Sequence, residues 1–133
     1  MLPLYHSDVP LSCINEAAYE YHVPAKLIIS VLNVERGRVG LAKLNDNGTY
    51  DLGPMQINSG AWWPTLYKYG ITPQGVLYNP CVNVKVGTWI LGKMIGDSHD
   101  LLLGIGNYHS NISSFNENYM HSVEVFYKGL SAL

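Results

Sequence analysis

Charge is scarce in this chain: only 14% of its 133 residues are Asp, Glu, Lys or Arg, and the net charge is −2. The two Arg and six Lys form no run or stripe, so a nucleic-acid surface has nothing to be built from, and no nucleic-acid partner is expected. Long apolar runs are also missing. Uncharged stretches such as Leu27–Val34 and Leu101–Ser110 fall short of the roughly 18 to 20 residues that cross a bilayer, so no membrane insertion is expected. The five His, at positions 6, 22, 99, 109 and 121, include no His-Glu-x-x-His and no Cys partner at ligand spacing, which leaves zinc without a scaffold. Leu103-Gly104-Ile105-Gly106-Asn107 lacks the third glycine and the preceding strand of a dinucleotide fingerprint. Neither a metal nor a cofactor is expected.

What is present is a chain that is 47% apolar, long enough for one hydrophobic core and too short for two. The expectation is a single domain over residues 1–133 that folds by itself. Phe is rare, with two against ten Tyr and three Trp, a balance of rings with polar handles that suits ligands with both apolar faces and hydroxyls, such as sugars. The only cysteines, Cys13 and Cys81, leave a choice between one disulfide and two buried free thiols. A bridge would close a loop of about 68 residues, for which chain entropy gives roughly 4 kcal/mol, and would imply an oxidising compartment. The opening Met-Leu-Pro-Leu-Tyr-His has neither a basic n-region nor an apolar h-region, as expected of a mature domain carrying an added Met1.

Hydrophobic periodicity predicts a mainly helical fold. Ile14, Ala17, Ala18 and Tyr21 fall at i, i+3, i+4 and i+7, giving a first helix over about 12–22 with Ser12 as its cap. Ile28, Val31, Leu32 and Glu35 repeat that spacing in a second helix over about 24–36, with Pro24 in its first turn and Gly37 ending it. The period then disappears, and Asn45–Asp51, containing Asn47-Gly48, reads as a small β-hairpin, the only strand signal. Ser59 is placed to cap a short helix through Trp62, Trp63 and Leu66 that closes at Gly70. Asn79-Pro80 opens another helix, with Val82, Val86, Trp89 and Ile90 on one side, to about Gly96. Two more follow, one with Leu101, Ile105 and Tyr108 on a face and one with Tyr119, Val123, Phe126 and Tyr127.

Glu35 stands out because it ends an apolar stripe, which turns its carboxyl toward the core. A carboxylic acid that keeps its proton near neutral pH is what general-acid cleavage of a glycoside requires, and apolar surroundings favour that form. The alternative is that the helix has ended by then and Glu35 is a solvated terminal residue. Arg36, about 100° further round, is expected to point to another face. In Tyr50–Asn58, polar side chains alternate with apolar ones, and Gln56 and Asn58 each offer the donor and acceptor that sugar hydroxyls and N-acetyl amides use.

Glu35 closing a helix, then Gly53-x-Met55-Gln56-Ile57-Asn58 after a hairpin, then Gly106-Asn107-Tyr108-His109 at the end of a later helix resemble, in order and spacing, the lytic transglycosylases with a goose-type-lysozyme-like fold. In particular they are similar to the small periplasmic enzymes of conjugation, type IV secretion and type IV pilus systems. The likeness runs from about Ser12 to Tyr127. It implies a mainly α, lysozyme-like single domain with one small β-hairpin, acting as a monomer in the periplasm on peptidoglycan glycan strands, with secretion or pilus proteins as partners. It further implies a Cys13–Cys81 disulfide, whose surroundings also resemble that group.

By the same resemblance, Glu35 is the single catalytic acid/base. Met55, Gln56 and Asn58 line the glycan groove, and Tyr108 hydrogen-bonds and positions the acid. The implied reaction cleaves the β-1,4 bond between N-acetylmuramic acid and N-acetylglucosamine with formation of a 1,6-anhydro ring, opening the wall locally for an envelope-spanning machine. Two positions depart from the family pattern: Arg36 stands where many members have Ser, and His109 where the broader family has Asn, so that His109 either touches substrate or caps its helix. A lysozyme-type hydrolase would need a second carboxyl about 5 to 9 Å away, for which only Asp46 and Asp51 are placed. Hydrolysis of the same bond and a non-catalytic glycan-binding subunit are the competing readings.

Overall fold

The computed structural model describes residues 8–98 and Glu124. Its first helix, α1 (Leu11–Tyr21), buries Ile14 and Ala17 and leaves Tyr19 in solvent. Ser12 is not the cap. Pro10 takes that position in extended backbone, and its carbonyl accepts the N–H groups of Cys13 and Ile14. A proline suits the place because its φ is already set and it has no N–H to leave stranded. The second helix, α2 (Ala25–Glu35), follows Pro24, which stands just outside as the N-cap rather than in the first turn. Leu27, Ile28, Val31 and Leu32 are fully buried, as the apolar stripe predicts. The helix ends on Arg36, a non-glycine residue in left-handed backbone (φ 57°) whose N–H closes onto the Leu32 carbonyl.

The irregular middle of the chain holds three short strands, β1 (Ala42–Leu44), β2 (Tyr50–Leu52) and β3 (Ile57–Asn58), paired antiparallel in that order. Ala42 faces Leu52 and Leu44 faces Tyr50 across the expected hairpin; Leu52 also faces Ile57. β3 departs from the sequence reading, since two residues are too few to display alternation. At the hairpin turn Gly48 takes the positive φ (84°), while Asn47 uses its side chain, accepting from the Thr49 N–H and hydroxyl.

Asn58, not Ser59, caps the next helix, α3 (Ser59–Leu66), accepting from the N–H groups of Gly60 and Ala61. A 3-10 turn, Tyr67–Tyr69, ends at Gly70 (φ 73°), as expected for a glycine stop. Then comes α4 (Pro73–Tyr78), six residues too short to carry a readable period, started by Thr72 Oγ1 accepting from Gly75. Asn79 Oδ1 accepts from Cys81 and Val82 to open the long α5 (Pro80–Ser98).

α5 lies along α1 and against α4, with Val84, Val86, Ile90 and Leu91 buried on Val9, Ile14 and the apolar side of α2 in one core. Cys13 and Cys81, near the starts of α1 and α5, are joined by a disulfide with Cα atoms 5.2 Å apart. The result is the expected mainly α class, with a three-stranded sheet in place of a bare hairpin between α2 and α3. The two helices expected after Ser98 lie outside the described residues. Among those described, no helix is long and apolar enough to cross a membrane.

Candidate active site

Glu35 is the last residue of α2, half-buried, with Oε2 shielded from solvent. The alternative of a freely solvated helix end is thereby removed, and Arg36 is exposed as expected. The left-handed turn at Arg36 swings the chain so that Gly37 lands on the loop that follows β2. A Cβ at Gly37 would overlap the Gly53 carbonyl oxygen and lie 2.7 Å from that of Pro54. Glycine is required there by space, and its absence of a side chain brings the segment after Glu35 into backbone contact with residues 53–54.

That loop is a β-turn with Pro54 at its second position, closed by the Gln56 N–H on the Gly53 carbonyl at 3.0 Å. Gly53 (φ 69°) and Gln56 (φ 54°) are both left-handed, and the second is unusual for a residue with a side chain. Gln56 Nε2 also donates to the Gly53 carbonyl at 3.0 Å, so the side chain helps hold the turn it sits in. Met55 is fully buried and packs on α5 at Gly87, where a Cβ would stand 2.9 Å from both Met55 Cβ and Cε.

Behind the turn is a compact polar cluster. Asp51, on β2 and 5% exposed, receives at Oδ1 the amides of Asn45 and Asn58, each at 3.0 Å. Asn58 Nδ2 reaches the Thr49 hydroxyl as well, at 2.9 Å, while its Oδ1 caps α3. The buried carboxylate thus has directed donors and acts as a brace between hairpin and helix. Asp46 is exposed at the hairpin tip.

Of the residues the sequence singled out, the structure brings together the Glu35 helix end and the Gly53–Asn58 loop. It turns Met55, Gln56 and Asn58 inward, however, where the resemblance implied side chains lining a groove: Met55 serves the core, and Gln56 and Asn58 spend their amides on the loop and cap. Tyr108 and His109 lie outside the described residues. Sequence reasoning missed Gly87 and the buried Asn83, and it read Gly37 as the helix stop, a role that Arg36 takes. A glycine one helical turn after an asparagine, among the apolar residues of the long helix, was the available signal for Gly87 and Asn83.

Among the described residues no cluster of His, Cys, Asp and Glu is suited to hold a metal ion. A cavity of about 490 Å³ lies elsewhere, between α1, the 3-10 turn and α5, with Tyr21, Tyr69 and Trp89 in its wall and none of the Glu35 loop.

Comparison with known proteins gives the following likenesses. Residues 12–122 match the transglycosylase SLT domain family. A peptidoglycan-binding-like protein of Escherichia coli O157:H7 is 29% identical over 134 residues, taking in 92% of this chain and 80% of that protein. Invasion protein IagB of Salmonella typhimurium is 33% identical over 84 residues, 62% of this chain and about half (52%) of that protein. A putative peptidoglycan-binding-like protein of Escherichia coli K12 is 29% identical over 114 residues, 80% of this chain and 72% of the relative.

Proposed function

The chain belongs to the transglycosylase SLT domain family, the lytic transglycosylases that act on peptidoglycan, and from that premise we propose that Glu35 is its single acid/base. The carboxylic acid donates its proton to the glycosidic oxygen between N-acetylmuramic acid and N-acetylglucosamine as the C1–O bond breaks. The carboxylate left behind then takes the proton of the C6 hydroxyl of the same muramic acid, whose oxygen closes on C1. One C–O bond is lost and one gained, Glu35 ends as it began, and no water is consumed.

The observation that carries this reading is the contrast between the two carboxyls of the region. Glu35 stands at a helix end with one oxygen shielded, and Gly37, two residues on, abuts the Gly53–Pro54 turn. Asp51, the buried candidate for a second catalytic carboxyl, is committed to Asn45 and Asn58. A hydrolase that keeps or inverts configuration generally needs both carboxyls free to act across the bond, whereas intramolecular attack by the substrate needs one. In this reading Met55, Gln56 and Asn58 contribute the height and rigidity of the groove floor. The disulfide and the substrate class both favour action outside the cytoplasm. We further propose, as the family resemblance implies, that the protein opens the wall locally for an envelope-spanning machine.

The test is mass spectrometry of muropeptides released from purified sacculi by the wild-type protein beside Glu35→Gln. Products one water lighter than reducing-end muropeptides, absent with Glu35→Gln, are expected. Ordinary reducing ends would mean hydrolysis, and release undiminished in Glu35→Gln would refute the acid.

A further inference from the structure

The Gly53–Pro54 turn, on which Gly37 packs two residues after Glu35, is gripped from α5 by one side chain. Asn83 is fully buried; its Oδ1 accepts the Met55 N–H at 2.9 Å, and its Nδ2 donates to the carbonyls of Leu52 at 2.9 Å and Val76 at 3.0 Å. Both N–H groups of the amide and one acceptor direction are in use. Leu52 and Met55 flank Gly53–Pro54, so a single amide holds that dipeptide at both ends, as a neighbouring strand would. The fit allows no slack. A Cβ at Gly53 would overlap Asn83 Nδ2 and lie 3.1 Å from its Cγ, and on the other side of the same dipeptide sits Gly37, two residues beyond Glu35. From α5 to the chain after the acid, the contacts run amide to backbone and backbone to backbone, with no long side chain to absorb a displacement.

A buried amide is a costly way to fill an apolar helix face, because each of its polar atoms must find a partner. Its return is directional, since three hydrogen bonds fix a position where apolar packing would fix only a volume. We infer that Asn83 is a positioning residue for the reaction: it sets the height of the Gly53–Pro54 dipeptide and thereby of the Glu35 carboxyl against the glycosidic oxygen. The inference rests on Glu35 being the acid.

The test compares kcat and KM per folded molecule, on solubilised glycan strands, for wild type, Asn83→Asp, Val9→Ala and Glu35→Gln. Asn83→Asp keeps the shape and the acceptor for Met55 N–H but loses both donors to Leu52 and Val76. A shift of the acid by even about 1 Å is worth on the order of 10²-fold in rate, so kcat should fall by about that factor while KM stays within roughly threefold. Val9→Ala removes packing from the fully buried core and should lower the melting temperature while leaving kcat in place. An Asn83→Asp protein with kcat within about threefold of wild type, beside an inactive Glu35→Gln, overturns this inference alone. Retained turnover in Glu35→Gln overturns the acid and this inference with it. Should Asn83→Asp fail to fold, Gly37→Ala breaks the same line of contact from the other side, and an unchanged kcat there is equally decisive against it.

Discussion

Two halves of the described molecule are built on different terms. Where α1, α2 and α5 meet, the interior is mainly aliphatic: Val9, Ile14, Leu27, Val31, Ile90 and Leu91 fill most of it, and a disulfide ties the starts of α1 and α5. Between α2 and α3 the buried residues include Asp51, Gln56, Asn58 and, from α5, Asn83, each hydrogen-bonded, and the chain turns through left-handed residues at Arg36, Gly53 and Gln56. The first region gains stability from area removed from water, which is tolerant of direction. The second obtains position from hydrogen bonds that tolerate little misalignment, and the proposed acid stands on its edge.

The comparison is broken most sharply by Glu35→Gln. Turnover should fall by orders of magnitude for want of a proton donor, while the melting temperature stays close to wild type because the amide matches the carboxyl in shape. Release assays beside thermal unfolding check both halves of that statement. Replacing Cys13 and Cys81 together by Ala should do the reverse. Opening a loop with a sequence separation of 68 should cost roughly 4 kcal/mol in denaturant unfolding, with turnover per folded molecule kept.

Asn58→Ala probes the seam, since it strips the cap of α3 and one donor from Asp51. We expect a loss of about 1 to 3 kcal/mol, measured by urea unfolding, together with a lower kcat. The smallest effect belongs to the aliphatic side. Burial, with the neighbouring Glu20 charge, raises the Tyr21 phenol above its usual range. A raised folded value means that the stabilising contribution is complete below the unfolded value near pH 10 and is lost as pH climbs through the folded one. Melting curves above about pH 10 should therefore decline less in Tyr21→Phe than in wild type.

The same division governs how far the sequence could be read. The stripe from Ile28 through Leu32 placed α2 and aimed Glu35, because a helix with one buried side repeats its apolar residues every three or four positions. α5 was legible for the same reason. The polar region was not, since its order lies in particular hydrogen bonds and left-handed turns that leave no period. Two residues of β3, six of α4 and the capping exchange from Ser59 to Asn58 all went unseen. The family motif Gly53–Asn58 was visible as letters, while the burial of Met55, Gln56 and Asn58 and the bonds the two amides make were not. Asp51 could be weighed from the sequence only as a second carboxyl, because its bonds to Asn45 and Asn58 join residues whose meeting no period announces.

The bridge between Cys13 and Cys81 also has a meaning apart from energy. It makes a closed ring of the chain from one cysteine to the other, and Glu35, the hairpin, the turn at Gly53–Pro54 and the cap at Asn58 all lie within that ring. A protease that nicks the exposed tip at Asp46–Gly48 opens the ring without releasing a fragment, and the two pieces stay tethered until the bond is reduced. In surroundings rich in proteases and poor in reductants, a cut molecule would remain a single object.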